Sequence, residues 1–391
     1  MASARRDPLL WAACVLLVIA MMASFTPTPL YPRYQAEWGI GDDHVSLVFA
    51  GYPIGVVLVL IGLGGLSDRL GRRNTLLLGL AVLLAAMLIL GFATDLVTLV
   101  GGRIVQGAGA GLLVSSAAAA LMKSHPDGPD RGSFVNTLCV SLGVAIGPFV
   151  AGSLASTSDR PLLVPYLVIA VLLLLPLAPL ARSRTNRTAA GSIRVVQAVR
   201  VPRLLLRRFS VAAVAIFSTN MCFGLFGAFG PQIAHRMDWT SEAASGRLVS
   251  LTLVAVVAAQ LGGRRLSRST AMALGVVLAL LGWSATAAGV ASLSPVAVML
   301  GSAVLGLGAG LCLLGSAALV GVISPPGREA EVYSAYLVVA FATLAGTALA
   351  AGPVLTRFPL TAVLVAAVVL SSLVAAWVLP GVRRMAREEF A

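Results

Sequence analysis

The chain has 391 residues, of which 58% are hydrophobic and 11% charged, with a formal net charge of +13 and a mean hydropathy of +0.95. Soluble globular chains are usually about 45–50% apolar and about 25% charged, so this composition excludes a soluble protein. It also argues against nucleic acid as a partner, because bilayer orientation accounts better for the basic excess.

Apolar runs long enough to cross a roughly 30 Å hydrocarbon core as helices fall at residues 9–31, 45–66, 74–93, 97–122, 132–156 and 161–181. They resume at 209–234, 245–263, 270–291, 295–323, 331–356 and 360–380. The expected fold class is an all-α integral membrane protein with twelve spans in two sets of six. The leading Ala2–Arg6 and Leu9–Met22 have the look of a secretory signal. No small-residue cleavage site follows, and Phe25, Thr26, Pro27, Thr28 and Pro29 extend the run, so an uncleaved first span is expected. The expected domains are residues 1–181, a basic linker over 182–208, and residues 209–391. The linker reads either as a tether whose arginines fix topology or as an amphipathic segment on the membrane surface.

Basic residues orient the spans. With both termini in the cytoplasm, 22 of the 28 Lys and Arg residues lie inside. Five lie outside (Arg33, Arg160, Arg236, Arg247, Arg357) and Arg103 lies within the bilayer. That asymmetry satisfies the positive-inside rule and predicts a multi-pass plasma-membrane protein. All but Lys123 of these residues are arginine, a bias expected of a GC-rich bacterial genome. Cys14, Cys139, Cys222 and Cys312 are far apart in sequence and read as buried inert thiols. His44, His125 and His235 have no ligand spacing, so no metal or other cofactor is expected.

The two sets of spans repeat at an offset near 200 residues. Gly102, Gly107, Gly109 and Gly111 recur as Gly301, Gly306, Gly308 and Gly310; Gly147-Pro148 recurs as Gly352-Pro353. Glu37-Trp38 is echoed by Asp238-Trp239, and Gly64-Gly65 by Gly262-Gly263. Two parallel six-helix repeats are the architecture of a rocking transporter with its site between the halves.

Three short segments carry the chemistry. The run from Gly64 to Arg73 joins the second and third spans with two glycines, Asp68 and the cations Arg69, Arg72 and Arg73, around Gly71. In the fourth span, Arg103 is the one strong charge deep in an apolar run, with Gln106 and Gly107 on the same helical face. It either faces a cavity or partner or snorkels to the headgroups. In the fifth span Gly143, Gly147 and Gly152 with Pro148 form a thin, bent face suited to close helix packing.

These segments resemble motifs of the major facilitator superfamily. Gly64–Arg73 is similar to its loop 2–3 signature, Arg103–Gly111 to its helix 4 motif, and Gly143–Gly152 to the helix 5 motif of its twelve-helix drug:proton antiporters. The helix 5 match departs from the pattern at Ala151 and at Phe134, where a glycine is expected. The resemblance implies alternating-access transport, a small-molecule substrate, and a proton gradient as driving force. It also implies a latch in which Gly64, Asp68, Arg69, Gly71, Arg72 and Arg73 meet the start of helix 11, with Glu329 and Glu331 within reach of Arg72 and Arg73. Surface charges serving topology alone are the other reading. Arg103 is implied in substrate binding or coupling, and the helix 5 bend in gating.

Tyr52, Asn220, Phe223 and Tyr336 are the candidate cavity residues by depth, and a weakly polar aromatic cavity suits lipophilic or amphiphilic solutes. No Asp or Glu lies deep in a span to relay protons, so the residues themselves leave Na⁺ coupling and uniport open beside the proton. The sequence holds no G-x-S-x-G turn, H-E-x-x-H site or phosphate-binding glycine loop before its single lysine, so no enzyme is expected. Efflux of a drug or metabolite is the leading function, uptake of a sugar or metabolite the runner-up, and a non-transporting receptor or scaffold the last. Nothing in the chain demands more than a monomer.

Overall fold

The computed structural model describes residues 8–63, 66–124, 126, 128–183, 201–325 and 328–389. Twelve spans long and apolar enough to cross a membrane follow one another in the described residues. The first six are α1 (Leu9–Trp38), α2 (Asp42–Gly62), α3 (Arg72–Gly91), α4 (Leu96–Met122), α5 (Arg131–Thr157) and α6 (Val164–Arg182). The second six are α7 (Arg203–Arg236), α8 (Glu242–Arg265), α9 (Arg268–Ala291), α10 (Pro295–Ile323), α11 (Glu331–Leu355) and α12 (Leu360–Met385). The described residues contain helices, turns and loops but no strand, as a bilayer requires of backbone that must satisfy itself. Twelve crossings return the chain to the side it started from. The α6–α7 linker lies on this terminal face; the α1–α2 connection lies on the other, called the opposite face below. Most of the linker, residues 184–200, lies outside the described residues.

The first span is not one helix. A helix over Pro8–Phe25 stops, a 3₁₀ turn covers Thr28–Leu30, and a new helix runs from Tyr31 to Trp38. Proline explains the break: Pro27 has no N–H for the carbonyl four residues back, and its ring crowds the preceding turn. The expected continuous span is therefore a broken one.

The repeated glycines set the packing within each half. A Cβ on Gly107 of α4 would sit 2.0 Å from the Tyr52 carbonyl oxygen of α2, and one on Gly306 of α10 would sit 2.0 Å from that of Thr252 on α8. Gly109 faces the Leu83 backbone of α3, and Gly308 the Ala279 backbone of α9. The same two helix crossings are thus built twice, by backbone contacts that only glycine permits.

Candidate functional site

The seam between α1–α6 and α7–α12 is the place where a solute could cross. Its centre is aromatic. Phe25 of α1 lies edge-on to Phe223 of α7 at 6.3 Å and to Phe49 of α2 at 6.0 Å. Tyr52 of α2 meets Phe341 of α11 edge-on at 6.4 Å. Gly227 of α7 leaves room for the Phe49 ring, which a Cβ there would overlap at 2.4 Å. Apolar rings therefore cross between the halves at mid-depth, in the edge-to-face geometry that aromatic pairs prefer.

Polar ties join the halves on the opposite face. Thr28 Oγ1 donates to the Gly227 carbonyl at 2.9 Å. Asp42, at the start of α2, accepts from Gln35 of α1 at 2.7 Å and from Gln232 of α7. Arg33 pairs with Glu37 at 2.7 Å and reaches Glu242 of α8 at 3.9 Å. Around these lies a small cavity of about 160 Å³ whose lining includes Arg33, His235, Glu242 and Ser245. Two glycine crossings close the same face: Gly152 against the Glu242 carbonyl, and Gly352 against Ser46 and the Asp42 carbonyl. These ties and crossings join the two halves on the opposite face.

Arg103 is wholly buried, and among the described residues no carboxylate pairs with it. Its Nε donates to the Val48 carbonyl at 3.1 Å, Nη1 to that of Ser24 at 2.9 Å, and Nη2 to that of Phe49 at 3.4 Å. Nη1 also donates to Gln106 Oε1, whose Nε2 donates to the Ala23 carbonyl at 2.7 Å. The guanidinium lies 5.1 Å from the Tyr52 ring centre. Two of these acceptors, Ala23 and Phe49, share an origin. Pro27 cannot donate to Ala23, nor Pro53 to Phe49, so both oxygens lack their usual helical partner. The α1 helix also ends at Phe25, which concentrates negative partial charge at its last carbonyls. Ala23 also accepts from the Thr26 N–H at 3.2 Å; Arg103 and Gln106 add their donors to these carbonyls and bind α1, α2 and α4 together. Of the two readings open from sequence, the buried partner is the one observed; the arginine does not snorkel.

The helix 5 residues divide between two partners. Gly143 and Gly147 face α1, where added Cβ atoms would meet the Val18 and Met22 carbonyl oxygens at 2.2 and 2.5 Å. Gly152 and the Pro148 carbonyl face α8 in the other half, at Glu242 and Gly246. At the terminal-face end of that crossing, the Arg264 guanidinium lies 4.1 Å from the Phe134 ring centre. Phe134 is one of the two positions that depart from the helix 5 pattern, and Arg264 follows the Gly262-Gly263 echo of Gly64-Gly65.

In the Gly64–Arg73 segment, residues 66–70 form a single helical turn. Gly71 turns the chain into α3 with φ +80°, a left-handed conformation that favours glycine. Gly64 and the side chains of Asp68 and Glu329 lie outside the described residues. Arg69 is exposed. Arg73 donates to the Leu180 and Ala181 carbonyls of α6 at 3.1 and 2.8 Å. Glu331 pairs with Arg328, 3.4 Å away at the start of its own helix. Arg73 is thus tied to the end of α6, and Glu331 is paired beside the start of its own helix.

Of the cavity candidates, Tyr52 and Phe223 lie at the aromatic seam. Asn220 is 7% exposed and its Nδ2 has no partner among the described residues. Tyr336 packs within the second half, its hydroxyl 2.8 Å from that of Ser316 on α10. Gln260 of α8 is a further polar side chain within a span, 1% exposed, and neither amide atom has a partner among the described residues. It falls four residues before Arg264, on the helical face turned to α5. Gln260 could have been found in the sequence as an amide in an otherwise apolar run.

The family model described as Major Facilitator Superfamily matches residues 13–346. The chain belongs to the major facilitator superfamily. Along 98% of both chains it superposes with a TM-score of 0.73 and 13% identity on a bacterial homologue of the human lysosomal transporter Spinster, a likeness of fold. Among curated relatives, it is 27% identical over 227 residues to the multidrug efflux protein YfmO of Bacillus subtilis, covering 56% of this chain and 55% of that one. It is 29% identical over 228 residues to the methylenomycin A resistance protein of Streptomyces coelicolor, 58% of this chain and 43% of the relative. With the rat vesicular acetylcholine transporter the identity is 29% over 246 residues, 60% and 44% of the two chains. The matched stretches thus span about half the length of these relatives.

Proposed function

We propose that this superfamily member exports small lipophilic or amphiphilic organic solutes across the plasma membrane by alternating access, driven by proton exchange. The observation that carries the reading is the aromatic seam formed by Phe25, Phe49, Tyr52, Phe223 and Phe341 between the halves. Such a surface rewards contact area more than directional hydrogen bonding, which fits chemically varied apolar cargo. Asn220 and Gln260 supply the few polar handles. The names of two relatives, an efflux protein and an antibiotic-resistance protein, point the same way.

In this reading both termini face the cytoplasm, and the opposite face is the external gate. Opening it breaks the Gln232–Asp42 and Thr28–Gly227 ties and exposes the Asp42 and Glu242 carboxylates. These are the acids closest to the pathway and its candidate proton carriers. The Gly64–Arg73 segment then closes on the start of α11, with Asp68 favoured beside that helix N-terminus by about 0.3–1 kcal/mol. A carrier of this kind works as a monomer.

The test is a panel of lipophilic cations, dyes and antibiotics applied to cells stripped of their own exporters, with the chain expressed and the proton gradient intact or collapsed. Lower accumulation that vanishes with the gradient is expected. Extrusion that survives collapse would overturn proton exchange, and gradient-driven accumulation of a sugar would overturn efflux.

A further inference from the structure

Away from the seam, α11 and α12 splay apart beside their short connection and leave a groove. Its volume is about 580 Å³, within the roughly 300–1,000 Å³ typical of ligand pockets. Met221 and Leu225 of α7 form the floor, Gly346 and Ala350 of α11 one wall, and Ala366 and Leu370 of α12 the other. Gly346, Ala350, Ala366 and Leu370 are accessible on the flank of the molecule. Because α12 packs on α9 and α7, this groove opens sideways into the bilayer and is separate from the pathway.

Three observations decide what fills it. The lining offers nothing for a polar group: the Thr343 and Thr347 hydroxyls are spent on carbonyls of their own helix. Small residues keep the space open, since a Cβ on Gly346 would meet no atom within 4 Å. An apolar hollow of this size loses dispersion contacts on every wall unless hydrocarbon enters it. At the groove's end, three residues beyond Val354, stands Arg357, exposed and without an acidic partner among the described residues. It lies in the loop at the opposite face, between α11 and α12.

We infer that this groove is a binding site for one membrane phospholipid, its acyl chain lying between α11 and α12 and its phosphate paired with Arg357. The lipid is a structural ligand and not cargo. It completes the α7–α11–α12 contact and supports the outer side of α7, whose inner side carries Asn220 and Phe223.

The full chain, purified in mild detergent and examined by native mass spectrometry, should retain one phospholipid. Gly346→Leu combined with Ala350→Leu fills the groove and should reduce the lipid-bound fraction about tenfold, or 1.4 kcal/mol. Arg357→Gln should keep chain binding but abolish any preference for phosphatidylglycerol over an uncharged diacylglycerol. The unchanged circular dichroism expected of the filled variant separates lost lipid from lost fold. Equal retention by the parent and filled chains would overturn the site. Displacement of the lipid by a transported dye would also overturn it, since the groove would then belong to the cargo.

Discussion

Asp42 of α2 accepts a hydrogen bond from Gln232 of α7 and so ties the two halves at the opposite face. Gln35 shares the same oxygen at 2.7 Å. A hydrogen bond to a charged group is worth roughly 1.5–3 kcal/mol when well shielded, and these side chains are half-buried. Asp42→Ala should therefore shift the balance toward opening of that face by roughly 5–30-fold. Thiol labelling of a cysteine placed at Ser245 reads this shift. Unaltered labelling would show that the glycine crossings alone hold the face closed.

Arg103→Met should unfold the first half before it alters any coupling. The change removes donors to the Ser24, Val48 and Phe49 carbonyls and strands Gln106 Oε1, at a cost of roughly 2–4 kcal/mol. Arg103→Lys should recover only part of this, because an ammonium cannot reproduce the planar fork. Thermal unfolding in detergent is the check. A variant of parental stability that no longer transports would move Arg103 from structural tie to cargo or proton site.

Gly143→Ala should cost about 1–3 kcal/mol, because the new methyl must displace the Val18 carbonyl from 2.2 Å. Gly101→Ala, where no atom lies within 4 Å, should stay within about 0.5 kcal/mol. The contrast between the two in one stability assay tests the α1–α5 contact against a general effect of losing glycine.

Phe134 and Arg264 should show coupling across the seam. A cation over an aromatic face contributes about 0.5–2 kcal/mol, depending on exposure. In a double-mutant cycle of Phe134→Ala and Arg264→Gln on transport rate, that coupling should appear as a non-additive term. Strict additivity would reduce the pair to an incidental contact.

Asp68→Asn should slow turnover while leaving expression and equilibrium cargo binding intact, as expected of a latch residue. Normal turnover in well-folded protein would assign the loop charges to topology alone.

Much of this architecture is legible in the linear chain because it depends on local quantities. Hydropathy over about 20 residues marks a span, loop arginines bias orientation, and glycines repeated near a 200-residue offset announce two similar halves. The same glycines then build equivalent crossings at Tyr52 and Thr252. Prolines 27 and 53 are equally visible, and each predicts a carbonyl deprived of its donor.

The partners of those groups are not legible. Arg103 stands 79 residues from Ser24 and 55 from Val48, so packing alone determines whether it meets an acid, a headgroup or backbone carbonyls. The same holds for Arg73, which sits on the end of α6, and for Arg264 above Phe134. A span's existence depends on its own residues and the solvent around it. Its polar contacts depend on how helices cross, and crossing angle and register emerge only when all the spans pack together.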